Sequence, residues 1–146
     1  MTNILDDLDE LLYRHIHPSL LMDNEPVSGC FYPNRTDNGK LSVDRSSLVT
    51  PEQSFQTYTK TNKSSAIYAL SVKDFKESNI SCISDPLENN AAHALADYSV
   101  YVGCSNSQRT KIAKLLRKKS VDKGCVFSLS DQDYEKTQDL KISSGS

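Results

Sequence analysis

The chain has 146 residues, 37% of them hydrophobic, with 17 Lys and Arg against 19 Asp and Glu and a formal net charge of −2. That length suits one domain with a real core, and the near balance of charge exerts no global pull toward nucleic acid or an anionic membrane. No apolar run is long enough to span a bilayer, and the opening MTNILDDLDE is acidic where a secretion signal is basic, so a soluble cytoplasmic protein is expected.

In chain order, Leu5, Leu8 and Leu12 recur at helical spacing behind Asp6, Asp7, Asp9 and Glu10, and predict an opening helix with carboxylates near its positive end. LLYRHIH then fits a strand, stopped by Pro18. After a loop from Leu21 to Ser28, GCFYP reads as a short strand and LSVDR as another, the turn-rich NRTDNGK between them making a hairpin with a wide loop. TPEQSFQTY carries the clearest local signal: Thr50 as N-cap, Pro51 at the first helical position and Gln53 three residues on, with Phe55 and Tyr58 on one face.

Further along, AIYALSV from Ala66 to Val72 predicts a central strand, KDFKES a helical turn, and ISCIS a strand ending before Asp85 and Pro86. Tyr98 to Cys104 is read as a strand. QRTKIAKLLRKKSVDKG is the best helix, with Ile112, Leu115 and Leu116 as its apolar stripe and Gly124 to end it. CVFSL gives a last strand, and residues 131–146, polar and rich in charge and serine, are expected to form a disordered tail. One domain over residues 1–130 follows, of the α+β class, with a mixed or antiparallel sheet packed against a few helices.

The four cysteines, Cys30, Cys82, Cys104 and Cys125, form no C-x-x-C pair. In a reducing cytosol they are expected as small core hydrophobes rather than zinc ligands or reactive thiols. No phosphate-binding glycine loop, dinucleotide fingerprint or G-x-S-x-G elbow is present, which argues against those enzyme classes. No cofactor and no resident metal are expected.

Three stretches can still carry chemistry. In RHIHP a strand would place Tyr13, His15 and His17 on one face and Leu12, Arg14 and Ile16 on the other. Two histidines so placed could ligate a metal or divide acid and base work. The plainer reading bonds one to backbone and leaves the other in solvent. In DNGKLSVDR, Ser42 and Arg45 lie three apart with Asp37 and Asp44 nearby; arginine's fork suits phosphate or carboxylate, while an Asp44–Arg45 surface pair is the plainer alternative.

The last helix gathers Arg109, Lys111, Lys114, Arg117, Lys118, Lys119 and Lys123 against the single acid Asp122. Such a face could meet an acidic protein, with Arg109, Lys111, Lys114, Arg117 and Lys118 as the contact residues. No aromatic side chains are interleaved for base stacking, so nucleic acid is the lesser expectation.

The run LYRHIHPSLLMDNEPVSGCFYPN, with DNGKLSVDR and TPEQSFQTY after it, resembles a family of small, uncharacterised bacterial proteins that carry L-Y-R-x-(I/V)-H-P, F-x-P, D-x-G-x-L-S-V and later D-P and H-A. The matching positions are Leu12 to Pro18, Phe31 to Pro33, Asp37 to Val43, Asp85 with Pro86, and His93 with Ala94. This resemblance implies that His17 rather than His15 is the family histidine and that the H-x-H pair is incidental. It implies no mechanism.

Two functions remain. The favoured one is a non-enzymatic cytoplasmic binding protein, such as a toxin-neutralising immunity protein that acts by protein–protein contact. The alternative is a small transferase or nuclease-like enzyme in which Arg14, His17, Ser42, Arg45, Asp85 and His93 converge on one pocket. That set is loosely similar to ADP-ribosyltransferase-type domains, but the catalytic glutamate of those domains has no supported counterpart here, since Glu52, Glu77 and Glu88 lack a surrounding motif.

Overall fold

The computed structural model describes residues 3–34 and 39–129; the predicted tail over 131–146 and Asp37 lie outside them. Strand β1 (Leu11–Ile16) is followed by two short strands, β2 (Leu21–Met22) and β3 (Glu25–Pro26), then β4 (Lys40–Arg45), helix α1 (Pro51–Tyr58), β5 (Ala66–Ser71), helix α2 (Val72–Lys76), β6 (Ser81–Ser84), β7 (His93–Asp97), helix α3 (Asn106–Lys123) and β8 (Cys125–Ser128). Six strands form one sheet in the order β6-β7-β4-β1-β5-β8, every pairing antiparallel, while β2 and β3 form a separate hairpin. This is the α+β arrangement expected from the sequence, with the open choice of sheet settled as antiparallel.

Alternation along β1 sets the two faces. Leu12 and Ile16 join Leu41, Val43, Leu70, Phe75, Tyr98 and Leu116 in the main core, beneath α2 and α3. On the other side Tyr13, Ile67 and Ala69 pack against Phe55 of α1 and Phe127 of β8. Leu12, Ile16 and Phe31 are fully buried, each stabilising the fold by about 1.5–3 kcal/mol relative to exposure. The eight-residue α1 packs on the second face, over β1 and β8, and reaches β4 through Ser54.

Local chemistry explains the helices. In α1, the Thr50 hydroxyl accepts from Gln53 N at 3.1 Å while Thr50 N donates to Gln53 Oε1 at 3.0 Å, the predicted capping box. Ser71 and Asp74 repeat the device at the start of α2. Gly124, at φ +91, ends α3 in a conformation that a side chain would strain.

Several elements differ from expectation. Instead of an opening helix, the chain runs along the free side of β6: Leu5 N donates to Cys82 O and Ser84 N to Asn3 O, both at 2.8 Å. Asp7 caps the amide of Asp9 at 3.1 Å, an Asx turn that competes with helix, and Leu8 faces outward. GCFYP is no strand and makes no hairpin; Ser28–Phe31 winds into a 3-10 turn that buries Cys30 and Phe31, and the Phe31 carbonyl accepts from the buried Tyr98 hydroxyl at 2.6 Å.

The strand expected at Tyr98 to Cys104 lies earlier, at His93–Asp97. Asp97 Oδ1 accepts from Ser99 N at 2.9 Å and turns the chain, leaving Val100 and Val102 in solvent. On α3 the buried seam is Ala113, Leu116 and Ser120, with Ile112 partly buried, whereas Leu115 points outward at 42% exposure. Cys30 and Cys82 are core residues, Cys104 is half-buried, and Cys125 is exposed on the edge strand β8. No helix among the described residues is long and apolar enough to cross a membrane.

Candidate functional site: a polar cleft between two strands

Strands β1 and β4 are registered at only two positions, Leu12↔Arg45 and Tyr13↔Asp44, although each strand continues beyond them. A cleft of about 490 Å³ is lined by Arg14 and His15 of β1 and by Ser42, Val43 and Asp44 of β4. Neighbours in a strand point to opposite faces, and the lining takes in both parities of both strands where their pairing stops. Its remaining walls come from α1 and the turn after it (Thr57, Tyr58, Thr61, Asn62), from the loop after β6 (Leu87, Asn89, Asn90), and from Asn34 and His93.

Arg14 spans the split. Gly39 O and Arg45 N both bond toward β7 (to Tyr98 N at 2.8 Å and Ala92 O at 2.9 Å), so alternation turns the carbonyl of Ser42 toward β1, where no ladder partner meets it. The Arg14 guanidinium takes that place: Nη1 donates to Ser42 O at 3.1 Å and Nε to Cys30 O at 2.8 Å. A side chain replaces the missing ladder bond and holds the two strands at a fixed separation.

The floor of the cleft is a closed polar network. Asp44, buried on the face toward α1, accepts from Ser54 Oγ at 2.6 Å and from Asn90 Nδ2 at 2.8 Å, with His15 Nε2 at 3.7 Å. His15 Nε2 lies 2.9 Å from Ser54 Oγ, Nδ1 lies 3.3 Å from Ser64 Oγ, and the imidazole stacks on Tyr58 with centroids 4.0 Å apart and planes 2° from parallel. A serine hydroxyl has one proton. With Ser54's on the short bond to Asp44, Ser54 accepts from His15, and Nε2 carries a hydrogen. Burial pushes the Asp44 carboxyl up, but the contacts from His15, Ser54 and Asn90 outweigh it and hold the group below its ordinary value.

Serine, histidine and aspartate thus meet without forming a nucleophilic triad. In that arrangement the carboxylate orients the far nitrogen of the imidazole and the serine proton faces the near one. Here Ser54 and Asp44 both crowd Nε2, and Ser54 is buried at 1% exposure. The second histidine is arranged differently: His93 Nδ1 lies 3.0 Å from Asp85 O and 3.1 Å from Asp85 Oδ2. That leaves its Nε2 as the ring atom available to a molecule in the cleft.

Of the six residues named from sequence, Arg14, Ser42 and His93 line this cleft, with Asp85 behind His93. His17 does not join them. It lies past the end of β1, exposed, its Nδ1 accepting from Ser19 N at 3.1 Å, so the pair expected on one strand face is divided. Arg45 is also elsewhere: three residues from Ser42 puts it on the opposite strand face, where Nε and Nη2 grip the Glu10 carboxylate at 3.1 Å each and no surface pair with Asp44 forms. His15, Asp44, Ser54, Ser64 and Asn90 were not singled out as a set. The i,i+4 relation of Ser54 to Tyr58 and the shared parity of Ser42 with Asp44 were the available signals.

The basic helix is largely neutralised within the chain. Arg117 donates to Pro26 O at 2.7 Å and reaches Glu25 at 3.5 Å, Lys118 pairs with Asp122 at 2.8 Å, Lys119 with Glu77 at 3.4 Å and Lys123 with Asp74 at 2.9 Å. Arg109, Lys111 and Lys114 make no ion pair with the described residues. Beside Lys114 and Arg117 a shallow groove of about 440 Å³ runs along Met22, Pro26 and Val27.

No family model, no curated protein and no solved structure matches the chain.

Proposed function

We propose that this is a non-enzymatic binding protein whose recognition site is the polar cleft between β1 and β4. The observation that carries the reading is the closed network at its floor. Asp44, His15, Ser54 and Asn90 bond one another, Ser64 and the Ala92 amide, so they fix α1 and the loop after β6 against the sheet and leave a shaped cavity without an activated nucleophile. An acidic protein partner on α3 has narrower support, because among the described residues Arg117, Lys118, Lys119 and Lys123 already have ion-pair partners.

One observation favours the enzyme alternative. His93 on the cleft wall is held by Asp85 in the way that orients a general base. Native mass spectrometry of the purified protein with a mixture of sugars, nucleosides, amino acids and small phosphates separates the two. The binding reading expects an adduct that is recovered chemically unchanged and is weakened by Asn89→Ala, a change at an exposed cleft residue. A ligand returned with altered mass, and its conversion lost in His93→Gln, would replace binding with catalysis. No adduct with any compound would remove the cleft as the site.

A further inference from the structure

The cleft's own chemistry narrows what it receives. Its two charged side chains are Arg14 and Asp44, both hydrogen-bonded within the chain. Arg14 is committed to the carbonyls of Cys30 and Ser42, and the two oxygens of Asp44 to Ser54 and Asn90. Both oxygens of Asp44 are engaged, so a cation would lose its hydration for little return, while two backbone carbonyls hold the Arg14 guanidinium in the gap between the strands.

An apolar ligand fares no better, since Val43 and Leu87 are the cleft's aliphatic residues where small-molecule sites are ordinarily lined mostly by apolar groups. What the walls do offer is neutral hydrogen bonding. The side chains of Ser42, Thr57 and Asn89 make no hydrogen bond with the described residues, Asn62 keeps its carbonyl oxygen while its amide nitrogen bonds Thr61 Oγ1 at 3.0 Å, and His93 keeps Nε2. Hydroxyls and amides that both donate and accept, spaced around a cavity of about 490 Å³, match a molecule that carries several hydroxyl groups on a compact ring. Leu87, 46% exposed at the rim, supplies an apolar surface for ring C–H groups.

We infer that the cleft takes a neutral, polyhydroxylated ring, the chemistry shared by a free monosaccharide and by the ribose of a nucleoside. This rests on the reading of the cleft as a binding site. It commits to hydroxyl recognition through Asn89, Asn62, Thr57, Ser42 and His93.

The test is an amide and side-chain NMR titration of the isotopically labelled protein. The probes are D-glucose, D-galactose and D-ribose, then adenosine and uridine, with inorganic phosphate, acetate and spermidine as charged counterparts. Saturable shifts at Asn62, Asn89 and His93 with one of the neutral sugars or nucleosides, weakened about five- to tenfold in Asn89→Ala by loss of a hydrogen bond worth about 1 kcal/mol, support the inference. Response to nucleosides but not to ribose or hexoses assigns the ring to a nucleoside, and the reverse assigns it to a free sugar. Shifts at those residues with only phosphate, acetate or spermidine would overturn the neutral class while keeping the cleft as a site. No probe moving those residues would overturn the binding reading together with the inference.

Discussion

Replacing Ser54 by alanine isolates the network on which the cleft's shape depends. The Ser54 hydroxyl is buried, donates to Asp44 at 2.6 Å and touches His15 at 2.9 Å, so its removal deletes one hydrogen bond to a charged group, worth about 1.5–3 kcal/mol. Alanine favours the α1 interior over serine by about 0.5 kcal/mol, and one deleted oxygen leaves little void. The net cost is then about 1–2.5 kcal/mol, or about 3–8 °C in the melting temperature for a domain of this size. Urea unfolding of Ser54→Ala, Asp44→Ala and the double variant completes the cycle. Because Asp44→Ala already strands Ser54, Asn90 and His15, the second substitution costs less on that background, and a coupling of at least about 1 kcal/mol is expected. Additivity within about 0.5 kcal/mol, or a Ser54→Ala cost below that, would refute the network as the tie between α1 and the sheet.

Other consequences follow from the same geometry. Arg14→Met keeps the length of the side chain but leaves the Ser42 and Cys30 carbonyls without their donor; a loss of about 1–3 kcal/mol is expected in urea, with faster amide exchange confined to β4 and the turn at Cys30. Asp44 and Glu10 are both held below their ordinary values, Glu10 because its bonds to Arg45 and Ser47 outweigh burial. A depressed carboxylate contributes stability above its unfolded value that is lost as pH falls through the folded one, so the melting temperature should fall below about pH 4, and Asp44→Asn should flatten that decline. Among the thiols, Cys82 is pushed up to about 12 by burial, whereas Cys125 is exposed. Iodoacetamide on the native protein should label Cys125 first and leave Cys82 intact until unfolding.

Where local chemistry decides structure, the sequence was legible. Thr50-Pro51 with Gln53 specified α1, Gly124 ended α3, and the unbroken apolar run at Ala66 gave the buried β5. Legibility failed where distant partners decide. Leu5 and Leu12 are both buried as a helix would require, but Leu5 is held by the Cys82 backbone across β6, a contact invisible in the first ten residues. Asp23 and Asn24 adopt the left-handed conformations of a two-residue hairpin turn, within the stretch from Leu21 to Ser28 that the sequence reads as a loop.

The site divides in the same way. Arg14, Ser42 and His93, legible from the chemistry of their side chains, do share the cleft. His15 and Asp44 were discounted, His15 in favour of His17 and Asp44 as a surface partner of Arg45, because the hydroxyls that engage them, Ser54 and Ser64, come from segments 39 and 49 residues away from His15. Strand parity alone places Arg45 opposite Asp44. It cannot show that β1 and β4 part after two registered pairs, which is what opens the cleft.

A crystal structure grown with the neutral sugar or nucleoside that saturates the NMR titration tests the central claim most directly. The account predicts density for that molecule between β1 and β4, within hydrogen-bond distance of Asn89 and His93, with Arg14 still bridging to the Ser42 carbonyl. Strands β1 and β4 paired continuously past Tyr13 and Asp44, or the molecule seated elsewhere, would contradict it.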